Sequence, residues 1–376
     1  MFQLIYRQVT YDRIRVLLTC GTIAAVVAVI LTLEGFREGL YAQLRAAVLE
    51  RGADLVLTQT GVANMMAARS VIPQLARAQV EAVDGVDQAY PMTTLPVIFD
   101  HAGRRTPVFL LVYDVAGGPS RLIEGARISA RRQIVIDESL ADRYALKPGD
   151  DFEISGFRFS IAGVSIGTAA MFTPFAFITY DDLIDFYLES ELVADITTFP
   201  LLSFLLVELR PGADIARVAQ AIESKVASVD VFQPAALATN DENLGRALFG
   251  PILGFLVAIG YVIGVLVVGI FMFAAVNARI RGIGVMRALG ITQLELARLV
   301  VAEAVLLMLL ALPVGVILAQ GLAALIQWMS PLYRVLPVES VPLARTAVAA
   351  LGFALLGSLL PVRATAMLDP GIVFRS

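Results

Sequence analysis

Long apolar runs alternate with short charged segments along this chain of 376 residues. Residues 16–33, 247–276 and 304–330 contain no Asp, Glu, Lys or Arg. A charged side chain at the centre of a bilayer costs roughly 2.5–3.5 kcal/mol, and a helix needs about 20 apolar residues to cross. A fourth apolar run, residues 346–362, is bracketed by arginines. The pattern therefore predicts four membrane-spanning helices.

The segment between the first and second runs changes to the pattern of short strands and helices. Apolar and polar residues alternate at 152–154 and 157–161, and Ser155-Gly156 between them is typical of a turn. The other predicted strands are 53–58, 108–113, 134–136 and 204–209, and the predicted helices are 73–83, 138–144 and 215–226. The predicted fold is an α-helical membrane protein with four transmembrane helices plus an α+β extracytoplasmic (periplasmic) domain inserted between helices 1 and 2.

The same pattern divides the chain into segments on alternating sides of the membrane. Leu40, Leu44, Ala47 and Val48 recur at helical spacing and extend the first span as a stalk. The segments are residues 1–15 (cytoplasmic or interfacial), 16–51 (first span with stalk), 52–246 (α+β domain outside the membrane), 247–276 (second span), 277–298 (cytoplasmic loop), 299–327 (third span), 328–345 (outer loop), 346–362 (fourth span) and 363–376 (cytoplasmic tail).

Two features of the N-terminal region need a choice between alternatives. Residues 1–15 fit either an interfacial helix or the arginine-flanked start of the first span. Residues 16–33 exceed the 7–15 apolar residues of a secretory signal and run into Glu34-Gly35 without a small-residue cleavage site. We therefore interpret residues 16–33 as a retained span.

The uneven distribution of charge gives the orientation. Residues 37–248 carry 27 acidic and 18 basic side chains, a net charge of −9, and the remainder carries 6 and 11, a net charge of +5. Four arginines, Arg279, Arg281, Arg287 and Arg298, follow the second run. Short arginine-rich loops stay in the cytoplasm, which predicts both termini inside a bacterial inner membrane and the acidic domain in the periplasm. An acidic surface also argues against a nucleic-acid partner.

Motifs for catalysis and cofactor binding are missing from the sequence. Its two lysines, Lys147 and Lys225, lie outside any glycine-rich loop, so the chain cannot form a P-loop for ATP. Cys20 is the single cysteine, and His101, the single histidine, has no neighbouring cysteine or histidine for a zinc site. We therefore expect a chain that is not an enzyme and binds no cofactor or metal itself.

Two positions inside the spans are candidates for special roles. Gly260-x-x-x-Gly264 predicts a contact with a second copy of the chain, although glycine is also common in membrane helices generally. Glu303 lies one turn inside the third span, where a proton relay is one interpretation. A carboxylate that is solvated or paired with Arg298 suits its place near the inner interface better.

Residues 279–290, RIRGIGVMRALG, followed by Glu-Ala at 303–304, resemble a motif of the MacB/FtsX-like superfamily of ABC transporter permeases. The family pattern is R-x-x-E-I-G-x-x-R-A-L-G and then E-A, and Gly282 departs from it where the family usually has glutamate. Residues 134–164 resemble the family's periplasmic core domain, and 361–370 resemble its tail. The N-terminal run is more similar to the DevC branch.

The resemblance implies a mechanism with partners. Two permeases dimerise, most simply as a homodimer, and each rests its second loop on a separate ATPase subunit, a dimer that holds ATP and Mg. Closing of the ATPase pair tilts the spans and moves the periplasmic domain. The implied coupling residues are Gly284, Val285, Met286, Arg287, Ala288, Leu289 and Gly290. Both glycines are expected at turns, the three large apolar side chains in the ATPase groove, and the arginine beside an acid.

Three functions follow from the resemblance. The first is export in a tripartite-type system with a periplasmic adaptor, or membrane-fusion protein. The second is mechanical regulation of a cell-wall hydrolase, as in FtsX, for which an insert of about 200 residues is large. The third is extraction of lipoproteins or lipids, as in the Lol permeases. We favour export. Membrane lipid surrounds the spans in every case, and the sequence does not identify the substrate.

Overall fold

The computed structural model describes residues 13–66, 70–190 and 202–366. Residues 1–12 of the predicted N-terminal segment and 367–376 of the predicted tail therefore lie outside the described residues. The choice between an interfacial helix and the start of a span stays open there.

The chain folds into two compact units. The membrane unit consists of residues 1–39, 249–328 and 335–376, and the insert unit consists of residues 40–248 and 329–334. The chain enters the insert unit within one long helix and leaves it within another.

Ten helices and eleven strands make up the described chain. The helices are α1 (Arg13–Leu49), α2 (Leu75–Glu81), α3 (Glu138–Tyr144), α4 (Tyr180–Glu189), α5 (Ile215–Lys225), α6 (Pro234–Asn277), α7 (Ile280–Ala288), α8 (Gln293–Met329), α9 (Ser340–Gly357) and α10 (Leu359–Ala366). The strands are β1 (Leu55–Gln59), β2 (Val86–His101), β3 (Arg104–Tyr113), β4 (Leu122–Gly125), β5 (Gln133–Asp137), β6 (Asp151–Ile154), β7 (Phe157–Ser165), β8 (Ala169–Ala170), β9 (Thr173–Thr179), β10 (Phe204–Leu209) and β11 (Val229–Phe232).

The membrane unit is built from helices that are long and apolar enough to cross a bilayer. In the described part of the chain four such segments occur, at Val16–Leu49, Pro234–Asn277, Gln293–Met329 and Ser340–Arg363. Their shared core is buried. It is formed by apolar side chains of α1, α6, α8 and α9, for example Val27 on α1 and Phe353 on α9. The predicted fold class, with four spans and an inserted α+β domain, is confirmed.

The fourth predicted span is not one continuous helix. It comprises α9 and α10, which are separated at Ser358. Pro361 has no N–H to bond the carbonyl of Gly357, so the hydrogen-bond ladder breaks at this point. A Cβ on Gly357 would lie 2.9 Å from the backbone nitrogen of Gly269 on α6. Close backbone packing therefore accompanies the break.

The insert unit is organised on one mixed sheet of eleven strands. The order is β11-β1-β10-β2-β3-β9-β5-β7-β4, with β6 on β7 and β8 on β9. The pairs β3–β9 and β5–β7 are parallel, and the other pairs are antiparallel. Parallel neighbours require a crossover, and α3 supplies one in a β–α–β pass from β5 toward β7.

Helices cover the sheet in two separate clusters. Around β5 and β7, α3 and α4 bury a core rich in aromatic rings, including Phe152, Phe157, Phe159 and Phe186. Around β1 and β10, α2 and α5 bury a mainly aliphatic core. Burying each large apolar side chain contributes roughly 1.5–3 kcal/mol, which allows the insert to fold without a disulfide.

The end of α1 packs on the sheet, as the stalk prediction requires. Leu40, Leu44, Ala47 and Val48 are all at most 5% exposed. Within the insert unit the first turns of α6 lie against this part of α1, since a Cβ on Gly245 would reach within 2.3 Å of the Leu44 side chain.

Predicted elements of the insert are largely present, with omissions. The helix at 138–144 and the strand at 204–209 match α3 and β10 residue for residue. The prediction missed β2, β4, β8, β9, β11 and α4. The helix that contains the predicted second span, 247–276, starts earlier, at Pro234.

Candidate coupling site

The seven predicted coupling residues, 284–290, fall on a helix rather than on an extended loop. Helix α7 contains the first five of them, Leu289 is its C-cap residue, and Gly290 follows. The expectation of turns at both glycines is therefore half wrong. Gly284 is buried within α7, whereas Gly290 has φ +94°.

Gly290 ends α7 in a specific way. Its N–H donates to the carbonyl of Arg287 at 3.0 Å, and the N–H of Ile291 donates to the carbonyl of Met286 at 3.1 Å. These two bonds form a Schellman motif, in which the residue with positive φ is usually glycine because a Cβ is strained there. The motif terminates α7 sharply and turns the chain toward α8.

The outer side of α7 presents two large apolar side chains. Val285 is 49% exposed and Leu289 is 79% exposed. They are four residues apart, which places them on the same side of a helix. Both side chains are therefore accessible to a partner or to membrane lipid. We call Val285 and Leu289 the α7 apolar pair.

Met286 lies on the other side of α7 from this pair. It packs against the core of the membrane unit together with Ile283, Leu296 and Val300. It also lines a cavity of about 290 Å³ beside these residues. The helical spacing explains the difference, because residues at i and i+1 project about 100° apart. Met286 therefore helps to hold α7 on α8 with a half-buried side chain, and its docking in a partner's groove stays a prediction.

The remaining predicted coupling residues are Arg287 and Ala288, near the end of α7. Arg287 is half-buried on α7, so its pairing with an acid of a partner stays a prediction. Ala288 is the last residue of α7, and its side chain lies outside the described part of the structure.

Helix α8 begins with a cap that the sequence analysis overlooked. Thr292 Oγ1 accepts from the N–H of Glu295, and the Glu295 carboxylate accepts from the N–H of Thr292 at 2.9 Å. This reciprocal pair is the capping box of the pattern T-x-x-E. The signal was present in the sequence as Thr292-Gln293-Leu294-Glu295, and it fixes where α8 starts after the turn at Gly290.

Glu303 anchors the start of the coupling segment. Its carboxylate is 2.9 Å from Arg279 Nη1, and the two side chains are 11% and 23% exposed. The predicted arginine pairing of Glu303 is confirmed, but the partner is Arg279, which precedes α7, and not Arg298. A half-buried pair of this kind joins the N-terminal end of α7 to α8.

Gly260 and Gly264 serve packing within one chain. A Cβ on Gly260 would lie 3.3 Å from Ile30 on α1, and a Cβ on Gly264 would lie 2.8 Å from Phe353 on α9. Both glycines are buried. Close packing within one chain thus accounts for both glycines, and the contact with a second permease copy stays a prediction.

Among residues 13–66, 70–190 and 202–366, no group of three or more His, Cys, Asp or Glu side chains could hold a metal ion. Residues 279–303 instead present a surface. On it the α7 apolar pair lies between the Arg279–Glu303 ion pair and the capped start of α8.

Two family models match the chain. The one described as MacB-like periplasmic core domain matches residues 16–225, and the one described as FtsX-like permease C-terminal matches residues 254–370. The first match lies mainly on the insert and the second on the membrane unit, with residues 226–253 between them unmatched.

Relatives of similar length include two proteins of Mycobacterium tuberculosis (strain ATCC 25618 / H37Rv). The uncharacterized ABC transporter permease Rv0072 is 23% identical over 371 residues, covering 98% of this chain and 97% of that protein. The uncharacterized ABC transporter permease Rv2563 is 23% identical over 370 residues, with the same coverage.

Solved structures similar to part of the chain are extracytoplasmic domains. The extracellular domain of the noncanonic ABC-type transporter YknZ from Gram-positive bacteria has a TM-score of 0.35 at 12% identity, covering 48% of this chain and 100% of that chain. The periplasmic region of MacB from Actinobacillus actinomycetemcomitans has a TM-score of 0.34 at 13% identity, covering 52% and 98%.

Proposed function

Because this chain belongs to the MacB/FtsX-like family of ABC transporter permeases, we propose that it couples ATP hydrolysis by a separate ATPase subunit to movement of its extracytoplasmic domain, as the permease of an export system. Family membership implies an ATPase partner. The observation that carries the proposal is the α7 apolar pair, exposed on a helix whose two ends are both fixed.

The anchoring of α7 is what makes it suitable for transmitting force. A push on Val285 and Leu289 moves α7 as a body, because Met286 and Ile283 lock its inner side to the core of the membrane unit. Protein interiors are close-packed and resist compression, so the displacement passes to α6 and α8. Helix α6 is continuous from the coupling segment to the insert, over residues Pro234–Asn277.

The orientation and surroundings follow from the same reasoning. We place α7 in the cytoplasm and the insert in the periplasm of a bacterial inner membrane, since Arg279, Arg281 and Arg287 cluster at this end. Two copies of the chain would work with a dimer of the ATPase, whose subunits hold ATP and Mg. An adaptor on the periplasmic side is the partner we propose for the insert, whose size supports export over an FtsX-like role.

Co-purification with the ATPase subunit encoded beside this chain tests the proposal. We expect Val285→Asp and Leu289→Asp each to reduce the recovered ATPase about tenfold, because each would desolvate a charge at the contact. Val338→Asp is the matched control, since Val338 is 45% exposed in the loop between α8 and α9. It should leave recovery unchanged. Equal recovery from Val285→Asp and Val338→Asp would contradict the proposed docking surface.

The protein that binds the insert distinguishes export from regulation of a cell-wall hydrolase. A periplasmic adaptor captured by the purified complex supports export, and capture of a peptidoglycan hydrolase supports the FtsX-like alternative. Release of a lipoprotein from the membrane by the complex and ATP would instead support the Lol-like alternative.

A further inference from the structure

A second polar feature of the membrane unit lies where α1, α6 and α9 meet. A cavity of about 730 Å³ opens there, lined by Glu34 and Arg37 of α1, Tyr261 of α6 and Arg345 of α9. Its other lining residues are small or aliphatic, and Val348, one turn further along α9, is 71% exposed. The cavity thus combines a charged cluster with an apolar wall that is open to its surroundings.

One carboxylate in this cluster faces two guanidinium groups. Glu34 is 2% exposed, accepts a hydrogen bond from the Tyr261 hydroxyl at 2.8 Å and is paired with Arg37. Arg345 Nη1 is 3.8 Å from the same carboxylate. The three charged side chains therefore sum to +1, which is costly among apolar helices unless an anion balances it.

The two arginines also have hydrogen-bonding capacity that Glu34 does not use. Each guanidinium carries five N–H donors in a planar fork suited to phosphate and carboxylate. Arg37 Nε is buried, and no acceptor in the described part of the chain reaches it. The Arg345 side chain is 49% exposed, which leaves it accessible to a ligand.

We propose that this cavity binds one anionic phospholipid of the surrounding membrane. Its phosphate lies between Arg37 and Arg345, and one acyl chain follows the apolar wall past Val348. The lipid belongs to the leaflet on the side of the insert, because Glu34 lies six residues before the insert unit begins at Leu40. The bound lipid neutralises the cluster and ties α1 to α9.

Other occupants fit the cavity less well. A free phosphate ion would fill the charged end and leave the apolar wall uncovered. A zwitterionic lipid brings a cation next to two arginines, and repulsion between like charges disfavours it. The proposal does not involve α7 and is independent of the coupling function.

The test is native mass spectrometry of the full-length chain released from detergent. An equimolar mixture of dioleoyl phosphatidylglycerol and dioleoyl phosphatidylcholine is added, and the retained lipid is counted. The wild-type chain should retain phosphatidylglycerol preferentially. Arg345→Gln should lower that retention about fivefold, since one arginine at an anionic lipid surface contributes about that factor. Arg363→Gln, an exposed arginine on α10, is the matched control and should have no effect.

Further variants keep the test decisive. Glu34→Gln preserves the hydrogen bond to Tyr261 and removes the competing charge, so it should raise phosphatidylglycerol retention. Arg345→Lys keeps the charge and serves in place of Arg345→Gln if that variant does not fold, with retention between the two. Equal retention of the two lipids, no difference between Arg345→Gln and Arg363→Gln, or displacement of the lipid by excess inorganic phosphate would each overturn the proposal.

Discussion

Two buried carboxylates in the membrane unit, Glu303 and Glu34, differ in the number of arginines that pair with them. Glu303 is paired with one arginine, Arg279, in a neutral and half-buried bridge. Glu34 is shared by Arg37 and Arg345 beside an open cavity. The first arrangement fixes a helix next to an exposed apolar surface, and the second leaves positive charge available to an anion. In our proposals, similar residues therefore support a protein contact at one place and a lipid contact at the other.

The largest loss of stability in this comparison is expected when Glu303 is replaced. Glu303→Gln leaves Arg279 without a counter-charge, and the free energy of unfolding should fall by about 2 kcal/mol, less than for a fully buried pair because Arg279 is 23% exposed. Unfolding in mixed detergent micelles measures this loss. The double variant Arg279→Gln with Glu303→Gln should recover part of it. Full additivity of the two single losses would show that no pair exists.

Replacing Gly290 should cause the next largest loss of stability. Gly290→Ala forces a Cβ into φ +94°, which costs about 1–2 kcal/mol, although no atom lies within 4 Å of the new methyl group. Gly282→Ala is the matched change, since Gly282 is helical and equally uncrowded. It should stabilise α7 by about 0.5–1 kcal/mol. The comparison is made by thermal unfolding of the complex with the ATPase. The same sign for both variants would contradict the Schellman assignment.

The charged cluster at Glu34 should respond more weakly when it loses its second, exposed arginine. After Arg345→Gln, Glu34 keeps its pair with Arg37 and its hydrogen bond from Tyr261. The Arg345 side chain is 49% exposed, so we expect a loss of at most about 1 kcal/mol in the free energy of unfolding. A loss as large as that of Glu303→Gln would remove the distinction between the two carboxylates.

The insert holds a third kind of buried carboxylate, one with no cation within bonding distance. Asp182 on α4 is fully buried and accepts from the backbone N–H of Arg132 at 2.8 Å, while its other oxygen has no partner in the described residues. Burial raises the pKa of the Asp182 carboxyl above its ordinary value of 3.8, an effect opposed by the Arg132 hydrogen bond and the charge of Arg131.

The sign of the resulting pH dependence follows from proton linkage. The folded chain binds the Asp182 proton more tightly than the unfolded chain does, so the stabilisation is complete below pH 3.8 and is lost as the pH rises through the raised pKa. Asp182→Asn removes this contribution. Chemical unfolding at several pH values above 3.8 should show a shallower decline for the variant than for the wild type. A steeper decline in the variant would contradict the assignment.

Periodic elements were predictable from the sequence because their patterns are local. The spans lack charges over long runs, and the stalk has a helical spacing of Leu40, Leu44, Ala47 and Val48. The sequence Asp137 to Tyr144 places a capping aspartate before a helix, and the structure has that cap, with the Ser139 N–H donating to Asp137 at 3.0 Å. Nothing beyond the neighbouring residues was needed in these cases.

Long-range pairing was not predictable in the same way. Strand β2 contains Pro91 and Pro96, which argue against a strand, yet all its residues from Met92 to His101 pair with β3. The side of a helix that a residue occupies was also decisive at the candidate site. Motif similarity grouped Met286 with Val285 and Leu289, and only the packing of α7 on α8 separated them. Likewise, the partner of Glu303 was set by the turn between α6 and α7, which brings Arg279 close.

Photo-crosslinking from α7 tests the central claim most directly. A benzophenone amino acid is placed at Leu289 or at Met286 in the full-length chain, and crosslinks to the ATPase subunit are scored on irradiation. The exposed position, Leu289, should crosslink to the ATPase, whereas Met286 should crosslink within the chain or not at all. Crosslinking to the ATPase from Met286 and not from Leu289 would show that the other side of α7 makes the contact, and the proposed coupling surface would be wrong.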